Sequence, residues 1–325
     1  MPTAHGNTAD GNTADGFTGY GFTAYGGPET QRFLELPMPV PGPDELLVEV
    51  YAAGVNPVDW KVRAGLHRAF LHLDLPAVLG REAAGVVVGV GPGVDGFAVG
   101  DPVFGTSARG CGGYARFALL TASQTAHKPA AVSWTDAAVL PVAAGTAHDG
   151  LAQLAPGPGE TLLILGIGGG VGAAAAQLAR AAGVDVAGTA ATAKREFVES
   201  LGATPVAYDG ADLDEQLRTA LPKGADTVFD LVGGDALRTV SSVLPPGGRI
   251  LTVADPETAA RFGARPLSRQ SSTETLAELA RRVAEGRLDP QVRDVFRFED
   301  AGAALRAVES GHPWGKIALD MHVNH

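Results

Sequence analysis

The residues whose type and spacing speak most directly of chemistry are glycines. Residues 162–183 read LLILGIGGGVGAAAAQLARAAG: an apolar run, five glycines within seven residues, then an alanine-rich stretch. Gly168, Gly170 and Ala173 form G-x-G-x-x-A between a strand-like and a helix-like segment, the arrangement that cradles a pyrophosphate. Gly168 permits the tight turn, Gly170 lets the backbone approach the phosphates, and Ala173 keeps the helix near the sheet. The free N–H groups around Gly169, Gly170 and Val171, with the positive end of the helix dipole, would meet the anion. A plain packing turn and a methyl-donor nucleotide site are the alternatives. The flanking pattern favours a nicotinamide dinucleotide.

NAD and NADP are distinguished at the end of the following strand. An NAD site usually carries Asp or Glu about 20 residues past the loop, on the ribose 2′-OH. Here residues 188–197 read GTAATAKREF, with Thr192, Lys194 and Arg195 and no acid before Glu196; Asp185 comes too early. A hydroxyl and two cations suit a 2′-phosphate. Cations in a first helical turn oppose the dipole unless an anion is bound there. The expected cofactor is therefore NADPH.

A cradle of this kind needs parallel βαβ units around it. From Glu160 apolar strands alternate with helical stretches: TLLILG, VDVAGTA, TPVAYDG, TVFDLVG and RILTVA are separated by GAAAAQLARAAG, KREFVESLG, LDEQLRTAL and DALRTVSSVL. That alternation implies an open parallel sheet covered on both faces by helices. Upstream, ELLVEVYAAGV, AAGVVVGVG and GGYARFALL are strand-like and bounded by Gly, Pro and Asp, which predicts an irregular barrel-like β domain. SWTDAAVLPVAAGTAHDGLAQL predicts two helical segments broken at Pro141, the first capped by Ser133. Past residue 265 we expect one clear helix, TLAELARRVAEG, and a closing strand GKIALDM.

The chain of 325 residues has room for two cores. Its net charge of −11 argues against a nucleic-acid partner. There is no apolar run long enough for a bilayer and no signal-peptide pattern, so no membrane is expected and the default location is cytoplasmic. Cys111 is the single cysteine, which excludes an intrachain disulfide. From Gly6 four pentads run GNTAD, GNTAD, GFTGY, GFTAY. The first two lack apolar bulk and predict a disordered tail; Phe22 and Tyr25 suit a first strand. The expected layout is a tail over 1–15, a β domain over 16–136, a dinucleotide-binding α/β domain over 137–265, and a return to the β domain over 266–325.

As a set, AAGVNPVDWKVRAG (52–65), PAVLGREAAGVV (76–87), GGYARF (112–117), AAGTAH (143–148), the glycine loop, VFDLVGG (228–234), LPPGGRI (244–250) and GHPWGKI (311–317) resemble the medium-chain dehydrogenase/reductase superfamily, in its zinc-independent quinone oxidoreductase and enone reductase branch. The resemblance runs from Phe22 to the end. It implies an α/β chain: a Rossmann-type doubly wound parallel sheet inserted into a GroES-like irregular β-barrel domain, assembled as a homodimer. It also implies Gly145 and Thr146 beside the nicotinamide amide, Tyr208 near the adenosine 2′-phosphate, Val232 along the cofactor and Lys316 within reach of a phosphate. Asn56 would lie near the nicotinamide, and Asn56 with Lys61 would hold the substrate's carbonyl oxygen. Tyr51 is a weaker catalytic candidate.

Zinc-dependent relatives carry a His where this chain has Arg81, and a Cys where it reads GVNPVD. His67 and His72 have no third partner nearby in sequence, so no metal is expected. Without a Lewis acid, reduction of a conjugated C=C is easier than reduction of an isolated ketone, because charge spreads onto an enolate that hydrogen bonds can hold. The expected activity is NADPH-dependent hydride transfer to an enone or a quinone; the rivals are a redox sensor with little turnover and a zinc alcohol dehydrogenase. Two departures from the family pattern stand out: Ile167 in the loop, where a small residue is usual, and the polar stretch PLSRQSS (266–272).

Overall fold

The computed structural model describes residues 16–110, 112–210, 212–240, 243–254, 260–311 and 314–321. The expected tail over 1–15, Cys111, and His312 and Pro313 lie outside them.

The alternation read from the sequence folds into a six-stranded parallel sheet. Its strands are β8 (Thr161–Leu165), β9 (Asp185–Ala190), β10 (Thr204–Ala207), β11 (Thr227–Asp230), β12 (Arg249–Thr252) and β13 (Arg265–Pro266), in spatial order β10-β9-β8-β11-β12-β13. Strand β8 shows why helices cover both faces. Leu162 and Ile164 pack on one side with Ala173–Ala176 of α4 (Gly170–Ala181), while Leu163 and Leu165 pack on the other with Leu217 of α6 (Leu213–Ala220) and Leu237. Alternate side chains of a strand point to opposite faces, and burying each leucine contributes roughly 1.5–3 kcal/mol. The order reverses between β8 and β11, and ligands of open α/β sheets bind at such a switch, beyond the carboxyl ends of the strands.

The β region forms a second six-stranded sheet, β14 (Val292–Arg297), β15 (Lys316–Asp320), β3 (Glu45–Val55), β5 (Glu82–Val90), β6 (Pro102–Ser107) and β7 (Phe117–His127), and β3 also pairs with β7, which closes the barrel. Beside it lie β1 (Phe17–Phe22), β2 (Gln31–Leu36) and β4 (Ala77–Val78). The first strand thus ends at Phe22; Tyr25 follows it in a bend and packs its ring on Phe22 at 5.6 Å. The break at Pro141 is a wide π-type turn over Leu140–Ala144, between α2 (Trp134–Ala138) and α3 (Gly145–Leu154). Ser133 caps α2, its Oγ accepting from Asp136 N at 3.0 Å. The closing region holds more than the one helix expected: α8 (Thr273–Ala284) is followed by β14 and by α9 (Ala301–Glu309). AGAALRAVE offers only Leu305 and Val308 as large apolar residues, too few for a visible helical stripe.

Candidate functional site

A cleft of about 650 Å³ opens at the switch point, walled by the glycine loop, the ends of β9–β11, α1 (Pro57–Arg63) and the start of β15. Gly166 turns the chain out of β8 with φ +86°, a conformation that favours glycine. The turn is anchored by Gly166 N donating to Thr189 Oγ1 (3.0 Å) and Ile167 N to Thr189 O (3.1 Å). Helix α4 begins at Gly170, and the loop lines the cleft from Gly168 to Gly172. A Cβ on Gly168 would fall 2.7 Å from Lys194 Cδ, and one on Gly170 would collide with Lys316 Cδ. A Cβ on Gly169 would meet nothing nearer than Gly166 O at 3.8 Å, so the helix start stays open to an incoming anion. These residues fit a dinucleotide.

Ile167, unusual for such a loop, is completely buried, and the space it needs comes from Gly188 in β9, where a Cβ would collide with its side chain.

Lys194 and Tyr208 line the cleft from the ends of β9 and β10. Burial lowers the Lys194 pKa from its usual value. Thr192 and Arg195, expected with them, do not line the cleft. Thr192 donates through N and Oγ1 to Asp209 Oδ1 (2.8 and 2.7 Å), and Arg195 turns outward to Glu199 at 2.9 Å. The Thr192–Asp209 contact has a topological cause. Strands β10 and β9 pair in parallel with Ala207 beside Ala190, so their ends coincide and Asp209 arrives where the sequence had shown no acid.

Val232 lines the cleft, 56% exposed, and is held there by Asp230, whose Oδ1 accepts from Val232 N (3.0 Å) and Gly233 N (2.8 Å). Gly145 and Thr146 are buried away from it. Arg269 of the polar 266–272 stretch covers them: Nη1 donates to Thr146 Oγ1 (2.5 Å), a Cβ on Gly145 would lie 2.9 Å from Nη2, and Nε pairs with Asp149 at 2.9 Å. Tyr51 is also absent from the cleft, its ring 4.7 Å from that of Trp134.

Asn56 and Lys61 do line it. Asn56 is extended (φ −133°, ψ 152°), as the following Pro57 demands, and stands between β3 and α1. Its amide, however, is committed to protein. Nδ2 donates to Glu82 Oε1 (2.8 Å), and Oδ1 accepts from Lys316 Nζ (2.5 Å). Lys316 Nζ donates also to Glu82 Oε1 (2.9 Å) and Val55 O (3.4 Å). Lys316, expected within reach of a phosphate, lines the cleft with its stem under Gly170, and its ammonium pairs with Glu82. The second Glu82 oxygen accepts from Val142 N at 2.6 Å. Below, the completely enclosed Asp59 accepts from Asn56 N (2.8 Å) and the Tyr114 hydroxyl (2.7 Å) on Oδ2, while Oδ1 has no partner. Burial, partly offset by these two hydrogen bonds, pushes the Asp59 pKa up to about 7. Among the described residues no hydrogen-bond acceptor meets the ammonium of Lys61, which lines the cleft 5.8 Å over the Trp60 ring.

Glu82, Asp59, Tyr114, Asp209 and Arg269 were not identified as site residues from sequence. An acid heading the apolar EAAGVVV strand was the available signal for Glu82; the others carry none. Arg81, preceding Glu82, offers a guanidinium where zinc relatives offer an imidazole. Among the described residues no three His, Cys, Asp or Glu side chains gather as metal ligands. No helix among them is long and apolar enough to cross a membrane.

The comparisons agree with this architecture. Residues 42–130 match the family model described as alcohol dehydrogenase GroES-like domain, and residues 201–319 one described as zinc-binding dehydrogenase. The chain is 30% identical over 305 residues to a chloroplast envelope quinone oxidoreductase homolog of Arabidopsis thaliana, covering 88% of this chain and 93% of that one. It is 31% identical to the chloroplastic NADPH-dependent alkenal/one oxidoreductase of the same plant, covering 85% and 72%. The quinone oxidoreductase structure from Coxiella burnetii superposes with a TM-score of 0.88 at 30% identity, over 94% of this chain and all of that one. The chain is thus an oxidoreductase with a nicotinamide cofactor, a member of the medium-chain dehydrogenase/reductase superfamily in its zinc-independent quinone oxidoreductase branch.

Proposed function

We propose that the protein is an NADPH-dependent reductase of α,β-unsaturated carbonyls or quinones, working from Lys61. The observation that carries this reading is the meeting of an open glycine cradle and an uncommitted ammonium on one cleft. Lys194 supports NADPH over NADH, because it lines the cleft after β9 and its side chain lies over Gly168, where it would meet a 2′-phosphate; the alkenal/one relative, named for NADPH, agrees. When bound, the cofactor supplies the hydride. Lys61 then holds the carbonyl oxygen through a charge-assisted hydrogen bond, stabilising the enolate formed as hydride reaches the β-carbon. A proton from Lys61 Nζ or from water completes the saturated ketone at the α-carbon; a quinone takes its proton on oxygen and leaves as hydroquinone. Asn56 acts through position, fixing the α1 start that presents Lys61. The reading includes a cytoplasmic homodimer.

The test is NADPH consumption, with NADH as control, on a simple enone, a small quinone and a saturated ketone. The enone or the quinone should turn over and the saturated ketone should not. Lys61→Met should lower kcat at least about 100-fold while NADPH binding persists. Turnover of the saturated ketone, or full activity in Lys61→Met, would sink the mechanism. Tight NADPH binding with no turnover of any compound would replace the reductase by a redox-sensing protein.

A further inference from the structure

Beside Lys61 the structure gathers two more basic groups that the hydride chemistry does not require. After α1 the chain folds back, with Leu66 N donating to Lys61 O (3.0 Å) and Leu71 N to His67 O (2.9 Å). This turn sets His67 next to the end of the helix that bears Lys61. Arg81 arrives from the start of β5 and meets the same turn at Gly110. Its Nη1 donates to Gly110 O at 2.7 Å, and a Cβ on Gly110 would touch both Arg81 Nη1 (2.7 Å) and Leu71 Cδ1 (2.6 Å). Burial lowers the His67 pKa, and the positive fields of Lys61 and Arg81, which both reach it, lower it further.

Among the described residues no ion pair reaches Lys61, His67 or Arg81, whereas the neighbouring Arg63 is paired with Glu309 at 2.6 Å and Arg269 with Asp149 at 2.9 Å. The chain as a whole carries a net charge of −11, so the unpaired charges of Lys61, which lines the cleft, and of Arg81, which meets the turn after its helix, are not a consequence of composition. Like charges held together repel, and an anion among them removes that repulsion. Leu66 and Phe70, 62% and 72% exposed, flank the spot and offer apolar cover to a short chain.

Resting on the reductase reading above, we propose that the substrate carries a carboxylate, which Arg81 and His67 receive while Lys61 holds the carbonyl oxygen being activated. The enzyme would then select an unsaturated keto acid over its neutral counterpart. Arg81 is the anchor, since its guanidinium keeps Nε and Nη2 for a bidentate contact. His67 donates one further hydrogen bond.

The experiment compares an enone ending in a carboxylate with its methyl ester, both with NADPH, at low and at high salt. The acid should show a kcat/KM at least about 10-fold above the ester at low salt, narrowing as salt screens the cluster. Arg81→Gln should bring the ratio of acid to ester close to one. An ester as good as the acid at low salt, or a ratio that survives Arg81→Gln, would overturn the proposal. If neither compound is reduced, the reductase reading fails, and binding still decides the anion site. Titration of the saturated keto acid into the protein should raise the His67 pKa, read by NMR of the imidazole, and the saturated ester should not. No shift with the acid would overturn the site by itself.

Discussion

Lys316 and Glu82 meet as a buried ion pair, Nζ 2.9 Å from Oε1, beneath the floor of the cleft. One lies in the last strand and the other 234 residues earlier, so the pair locks the end of the chain onto the barrel, with the Lys316 stem under Gly170 of the glycine loop. Removing either partner leaves a charge in a dry site. Glu82→Gln or Lys316→Met should each destabilise the fold by about 3–5 kcal/mol in denaturant unfolding. The double variant should lie nearer wild type than either single one. Additive losses would show that the two charges do not depend on each other.

Asp59 gives the fold a pH dependence of unusual sign. Its pKa is raised from 3.8 to about 7, so the folded state holds a proton that the unfolded chain releases. The stabilisation is complete below the unfolded value and is lost as pH rises through the folded value, over roughly pH 4 to 7. Relative to Asp59→Asn, which keeps one acceptor oxygen for Asn56 N and Tyr114, the wild-type Tm should fall across that window. Parallel Tm curves for the two proteins would refute the assignment.

Cofactor choice should respond to two residues of opposite sign. Lys194→Ala should raise the KM for NADPH about 10-fold or more, the worth of one charge-assisted contact, and leave that for NADH unchanged. Asp209→Asn should tighten NADPH a few-fold by removing a carboxylate tied to Thr192 at the same end. Equal effects of Lys194→Ala on both cofactors would place the 2′-phosphate elsewhere.

Ile167 of the glycine loop and Gly188 of β9 form a complementary pair. Gly188→Ala should cost about 1–3 kcal/mol by overpacking, and Ile167→Ala about 2–5 kcal/mol by leaving a cavity. Combined, they should cost less than the sum, because the new methyl group fills part of the space vacated. A strictly additive double-mutant cycle would rule out the pairing.

How much was legible differs by element. The strand–glycine–helix unit and the alternation after Glu160 were readable because their determinants are local: period-two apolar runs, turn glycines and an alanine-rich helix. Pro57 announced the extended Asn56 in the same way. Helix α9 was not legible, since its small residues gain their helical state from packing under β15.

The sequence by itself determined the fold class, the dinucleotide cradle and the Lys61–Asn56 stretch, because each is written in contiguous residues whose propensities agree. Tertiary structure alone decided which charges are free to act. Lys316 was turned inward by Glu82, Asn56 was drawn into the same network, Thr192 was claimed by Asp209, and Gly145 and Thr146 were covered by Arg269. Each of these partners stands 17 or more residues away in sequence. An electrostatic partner is set by distance in space, which a one-dimensional pattern does not encode.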